Sequence, residues 1–275
     1  MEAQILFVGG RNMGRAIIGG LLGTGYPAHR ITVADPDQSV RERLSADFGV
    51  TVCARAIPDS GATPDVVVLA VKPQIMAAVA TAFAADNPAV RPLYISIAAG
   101  ITTQQLSTWL GADKAIVRVM PNTPAMVGAG AAAMFANAHV DAGGRARAGA
   151  ILEAVGIAAW VPDESQLDAV TALSGSGPAY FFLVFEILER IGAELGLDAA
   201  LARQLAIETG YGAALLARTA SDGPDTLREQ VTSPGGTTEA ALNVLREHDI
   251  AAVFRDALHA AHARSIELAR NSAAS

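Results

Sequence analysis

The first residues in the chain whose types and spacing could do chemistry are Gly9, Gly10, Arg11, Asn12, Met13 and Gly14. They follow a short apolar run, residues 4–8, and precede a helically spaced apolar segment that stops at Gly25. A glycine turn between a buried strand and a helix leaves backbone N–H groups at the positive end of the helix dipole, where they hold phosphate oxygens. The usual spacing is G-x-G-x-x-G. Here the middle position is Arg11. With Gly10 free to rotate, the turn can tilt and aim that guanidinium toward solvent or along the phosphate edge, where it complements the anion. The alternative is a lookalike turn that binds nothing.

A second candidate lies in "LREQVTSPGGTTEAAL", residues 227–242. Pro234, Gly235 and Gly236 form a turn, and Thr237 is expected to cap a helix beginning near Thr238. Free N–H groups at that helix start suit a carboxylate; a plain helix cap is the bland alternative. His248, His259 and His262 fall in late helical segments and are expected at the surface or an interface. The lone Cys53 excludes an intrachain disulfide and any multi-cysteine zinc site, and no metal is expected. A net charge of -7 and a pI near 5.2 argue against an electrostatic nucleic-acid binder. A strand begins almost at once, so no signal peptide is expected. Gly, Pro and charges interrupt the longest apolar runs before a bilayer's width, so a soluble cytoplasmic protein is expected.

Further strands are expected at residues 31–35, ending in Asp35, and at 65–71, halting at Lys72-Pro73. Others follow at 93–99 and 115–122, with helices between. That alternation predicts a doubly wound α/β sheet, whose ligands sit beyond the carboxyl ends of the strands. The glycine turn, Asp35, Val71-Lys72-Pro73, Ala98-Ala99-Gly100 and Met120-Pro121-Asn122-Thr123 all fall there, and together they predict a dinucleotide crevice. Asp35 would accept a ribose 2′-OH and repel a 2′-phosphate, which leans toward NADH. Arg11, Arg41 and Arg43 could neutralise that phosphate, so the choice stays open.

From Pro162 onward the pattern is helical. One helix runs to a glycine stop at Gly196, Asp198 caps the next, and a last one spans about 250–270. Gly210 and Gly212 suggest close helix packing, and the apolar surface exceeds what one bundle can bury, so a dimer is expected. The predicted fold is a Rossmann-like doubly wound sheet over residues 1–162 with an all-helical C-terminal substrate and dimerisation domain over 163–275.

Six stretches carry a family resemblance: "GGRNMGRAIIGGLL", "VVVLAVKPQ", "SIAAGI", "VRVMPNTPA", "ALSGSGPAYFF" and "LREQVTSPGGTTEAAL". In this order and spacing they resemble the pyrroline-5-carboxylate reductases, and the last two are specific to that family. The resemblance implies reduction of the C=N bond of 1-pyrroline-5-carboxylate to L-proline with NADPH or NADH. It also implies interlocked homodimers, often in rings of dimers. It implies that Gly9 to Gly14 hold the pyrophosphate, that Val71, Lys72 and Pro73 meet the ribose, and that Ala98, Ala99 and Gly100 line the path. Met120, Pro121, Asn122 and Thr123 would face the nicotinamide. Glu164 matches a substrate-pocket position, and Gln230 stands where some members have Asn. Ser233, Gly235, Gly236, Thr237 and Thr238 match the substrate loop, with Thr238 nearest the ring nitrogen.

The departures are Arg11 for glycine, Ala56 where members often have Asn, and Asp35-Pro36 where NADPH-preferring relatives often offer Asn or Ser and then Arg. Family habit leans toward NADPH. Two other functions remain open. A hydroxyacid dehydrogenase needs a general acid for the developing alkoxide, commonly Lys or His; Lys72 sits in the cofactor loop and the histidines lie late. A non-catalytic, reductase-like paralogue with a regulatory or competence role finds its only support in Arg11 and Ala56.

Overall fold

A computed structural model describes residues 3–56 and 63–273. Its polypeptide groups into two compact units, one comprising the residues up to Ser176 and those from Ala261 onward, the other Gly177–Ala260. This grouping divides the chain at Ser176, and the C-terminal residues belong to the first unit.

The first unit is built on strands whose composition suits burial on both faces. β1 (Ile5–Val8) and β4 (Val66–Leu69) are buried at every position, as central parallel strands should be. β2 (Ile31–Ala34), β3 (Thr51–Cys53), β5 (Leu93–Ser96) and β6 (Ile116–Met120) complete the parallel part. Between and after them come α1 (Asn12–Gly23), α2 (Gln38–Phe48), α3 (Pro73–Asp86) and α4 (Thr103–Leu110). Two apolar clusters, one around Phe7, Ile17 and Ile95 and one around Leu69, Met76 and Tyr94, fill the core.

Three strands were not anticipated: β3, and two more beyond β6. β7 (Gly130–Ala136) pairs antiparallel with β6, and β8 (Gly156–Trp160) pairs parallel with β7 across α5 (Ala142–Glu153). The sheet order is β3-β2-β1-β4-β5-β6-β7-β8. Its direction of winding reverses between β1 and β4, and a doubly wound sheet opens its ligand crevice at that reversal.

After α6 (Gln166–Val170) a π turn, Thr171–Gly175, leads into α7 (Gly177–Glu194). This corrects the expectation about apolar length. Pro178 falls in the first turn of α7, where its missing N–H costs nothing, so Gln166–Glu194 becomes one helical stretch long and apolar enough to cross a membrane by length and composition.

In the second unit α7 packs on α8 (Ala199–Thr219), whose N-cap Asp198 accepts from the amides of Ala200 and Leu201. A Cβ at Gly210 would fall 2.3 Å from the Phe185 ring, so glycine is required for that approach. Gly212 has open space around it, contrary to expectation. α9 (Pro224–Gln230), α10 (Thr237–Glu247) and the start of α11 (Ile250–Ala273) complete the unit. Phe181, Phe182, Leu188, Leu205, Tyr211 and Leu216 are among the large apolar side chains exposed on α7 and α8. That much apolar surface marks an interaction face.

Candidate active site

The glycine turn lies at the reversal of the sheet. Gly9 adopts φ +97, and a Cβ there would approach the Ala70 carbonyl oxygen to 2.6 Å, so this position demands glycine. Gly14 is equally confined, because a Cβ would sit 2.7 Å from the Gly9 carbonyl oxygen. Gly10 is crowded by side chains, and a Cβ there would strike Leu44 at 2.4 Å. Arg11 takes the extended N-cap conformation, φ -79 and ψ -169, which any residue accepts. Its side chain is exposed and bridges to Asp37 at 2.9 Å. The first N–H groups of α1, on Asn12, Met13 and Gly14, have no preceding helical turn to satisfy them. No acid occupies that first turn.

Asp35 is engaged by the glycine turn. It is 4% exposed, and its two oxygens accept from the Gly10 amide at 2.9 Å and the Asp37 amide at 3.0 Å. Its carboxylate braces the turn through those two amides. Asp37 caps α2 through the Ser39 amide. Hydrogen bonds from the Ser39 hydroxyl and amide hold its carboxyl below the usual carboxylate range. Arg41 donates through Nη1 to the carbonyls of Asp35 and Pro36.

Along the same edge, Lys72 is exposed and Val71 and Pro73 are half-buried, Lys72 being the N-cap of α3. Ala99 is exposed, whereas Ala98 is buried and Gly100, at φ +72, packs near Leu268 and Ala269. Met120 is partly exposed and Thr123 exposed, while Pro121 is buried. Asn122 is 8% exposed; its amide donates to the Ser174 carbonyl and accepts from the Ala131 amide. It ties two loops together.

Glu164 is likewise engaged. One oxygen accepts from the Thr103 amide at 2.8 Å and from Arg118 at 3.1 Å, and the other from the Thr103 hydroxyl. Arg118, on β6, also lies 4.0 Å from Asp168, which accepts from the Ser265 hydroxyl. This inward network, with Thr103, Arg118, Asp168 and Ser265 unanticipated, pins α6 and the end of α11 to the sheet.

In the helical unit α10 begins at Thr237, not Thr238, and its N-cap is Gly236 without a side-chain cap. The preceding Gly235 has φ +71, and its amide donates to Glu239 at 2.7 Å. The Gly236 amide donates to the Ser233 carbonyl. Thr237 is exposed and Thr238 half-buried, and their amides open the helix. Gln230 is bonded to Asp222, away from the turn.

A Rossmann-type sheet with a glycine turn at its reversal, followed by a helical unit with an exposed apolar face, defines a dinucleotide-dependent oxidoreductase that dimerises through its C-terminal part. Known proteins agree. Residues 4–100 match the family described as NADP oxidoreductase, coenzyme F420-dependent, and residues 164–268 match pyrroline-5-carboxylate reductase dimerisation. The pyrroline-5-carboxylate reductase of Pseudomonas aeruginosa is 46% identical over 271 residues, 97% of each chain, and that of Haemophilus influenzae 43% identical over 265 residues. Among solved structures, the pyrroline-5-carboxylate reductase of Coxiella burnetii superposes with a TM-score of 0.93 at 40% identity, covering 98% of this chain and 99% of that one. The Plasmodium falciparum pyrroline carboxylate reductase with NADP bound gives a TM-score of 0.85 at 26% identity, covering 98% and 99%. The chain belongs to the pyrroline-5-carboxylate reductase family.

Proposed function

We propose that the protein reduces the C=N bond of 1-pyrroline-5-carboxylate to L-proline, the last step of proline synthesis, using NADPH or NADH. The glycine turn carries this reading, because Gly9 and Gly14 clear the backbone around the open amides of Asn12, Met13 and Gly14. A pyrophosphate fits amides so placed, at the positive end of α1. When bound, the reduced nicotinamide supplies a hydride to the imine carbon, and a protonated imine becomes an amine.

The chain's own groups bind and orient. Val71 and Lys72 border the dinucleotide path, with Ala99, Met120 and Thr123 beyond them. The substrate carboxylate takes the opening amides of α10, on Thr237 and Thr238, at the positive end of that helix. Thr238 holds the ring nitrogen through its hydroxyl. A protonated imine carries its own proton and develops no alkoxide, so neither an oxyanion hole nor a histidine acid is needed. His248 and His259 are exposed on the helical unit, in keeping with that.

The working form is a cytoplasmic homodimer or a ring of dimers, with no nucleic-acid or membrane partner. The apolar face of α7 belongs to the second subunit. Sedimentation of an active species at the monomer mass of 28.2 kDa would contradict this.

The decisive assay is 1-pyrroline-5-carboxylate-dependent oxidation of NADPH and NADH by the purified protein. Oxidation that depends on the imine, with proline as product, is expected. Binding of dinucleotide without turnover would instead favour a regulatory paralogue.

A further inference from the structure

A guanidinium group is buried beneath the strand ends of the first unit. Arg118 lies on β6 with its side chain 5% exposed, and the sheet register sets it level with Ser96 of β5. Two residues beyond Ser96 the chain enters the loop Ala98–Gly100; two residues beyond Arg118 it reaches Met120 and the loop that ends at Thr123. We propose that Arg118 is a positioning residue for hydride transfer, because it holds these two loops in the one arrangement that brings the hydride donor to the imine. The inference rests on the reductase reading given above.

Two arms run from Arg118, and both end at Gly100. In the first, Nη1 donates to Glu164 at 3.1 Å. Glu164 also accepts from the Thr103 amide at 2.8 Å and the Thr103 hydroxyl at 2.6 Å. Thr103 opens α4, so this carboxylate satisfies a helix-start amide that has no partner within its own helix. α4 thereby starts at a fixed point three residues after Gly100. In the second arm, Nη2 lies 4.0 Å from Asp168, which accepts from the Ser265 hydroxyl at 2.7 Å. One helical turn further along α11, Leu268 and Ala269 close on Gly100, where an added Cβ would meet them at 3.5 Å. Gln105 of α4 donates to the Ala269 carbonyl, which joins the two arms. Every member of this ring belongs to the first unit.

The chemistry of the group suits orientation more than stability. A buried ion group stabilises little compared with apolar side chains of the same volume. Its planar fork, however, directs donors along fixed lines, which a lysine cannot do. Were position 118 apolar, two carboxylates only 20% and 14% exposed would lose their countercharge, and both arms would let go of the Gly100 loop. Hydride transfer is sensitive to such a change, since a misplacement of about 1 Å can slow a reaction about 100-fold.

Single-turnover loss of NADPH absorbance at saturating 1-pyrroline-5-carboxylate reads the hydride step, and equilibrium titration of NADPH reads cofactor affinity. Arg118→Met should slow the hydride step about 100-fold and Arg118→Lys about tenfold, because lysine keeps the charge but loses the fork. The NADPH dissociation constant should change by less than about threefold in both. Thr103→Val and Ser265→Ala each loosen one arm and should slow the step by roughly threefold to fivefold. If Arg118→Met fails to fold, the lysine and single-arm variants carry the test. Amide hydrogen exchange should quicken at residues 98–101 and 120–124 in the Arg118 variants and stay unchanged in β1 and β4. An unchanged hydride step in Arg118→Lys and both single-arm variants would overturn the proposal. So would a loss of NADPH affinity in step with the rate, which marks a merely structural role. If the wild type binds NADPH but reduces no imine, while the two loops loosen in the variants, the reductase reading fails and the hold of Arg118 on the loops stands. If reduction proceeds equally fast in all the variants, the reverse holds.

Discussion

Two glycine turns open two helices in this molecule, and each has a carboxylate on a glycine amide. At α1 the carboxylate is Asp35, buried at 4% exposure and bonded to Gly10 and Asp37. At α10 it is Glu239, half-buried on the helix's own first turn and bonded to Gly235. The first acid approaches from behind, across 25 residues of sequence, and leaves the front of the turn open. The second sits at the helix opening, where a substrate carboxylate would lie. The first is a permanent brace; the second is exchangeable, because water and an incoming anion can replace it. A helix start thus becomes a site or a closed cap according to where its internal acid stands.

That contrast breaks most visibly at Asp35. Asp35→Ala strands two backbone donors beside a buried turn, and should cost about 2–4 kcal/mol of stability along with dinucleotide affinity. Urea denaturation of the variant checks this. A loss within experimental error would mean that the brace is dispensable.

The next effect is expected at Thr238. Thr238→Ala should lower kcat/KM by roughly 10- to 100-fold, about 1.5–3 kcal/mol of lost positioning, with dinucleotide affinity unchanged. Thr238→Ser should recover much of it. Full activity of Thr238→Ala at subsaturating imine would reduce Thr238 to a helix-opening residue.

The smallest change separates brace from plug. Glu239→Ala removes a partly exposed cap, and should cost no more than about 1 kcal/mol of stability. By freeing the Gly235 amide it should lower KM for the imine by roughly two- to fivefold, with kcat little altered. A raised KM would show that Glu239 shapes the turn instead of competing with the substrate.

Much of the frame was legible because local signals end its elements. Gly25, Gly196 and Asp198 stop or start helices in their own sequence neighbourhood, and the apolar runs of β1 and β4 announce burial. β7 was not legible: "GAAAMFA" has weak strand propensity, and it becomes a strand because β6 and β8 flank it. The same limit governs the site. Which residues gather at the strand ends could be read in order, but not which way they face. Asp35, Asn122 and Glu164 look like ligand groups by type, and the hydrogen bonds each makes to residues distant in sequence could not be read from their own neighbourhoods. Arg11 was expected to point toward solvent or along the phosphate edge, and its side chain is exposed beside Asp37. The Glu239 contact was within reach of sequence, since an acid at the third helical position commonly returns to the cap.

The most direct measurement is a crystal structure of the protein with NADPH and L-proline bound together. The account predicts the pyrophosphate on the amides of Asn12, Met13 and Gly14 with Asp35 unmoved behind Gly10. It also predicts the proline carboxylate on the amides of Thr237 and Thr238, with the Glu239 carboxylate withdrawn from Gly235 and the ring nitrogen at the Thr238 hydroxyl. A proline carboxylate bound elsewhere while Glu239 still caps Gly235 would contradict the account.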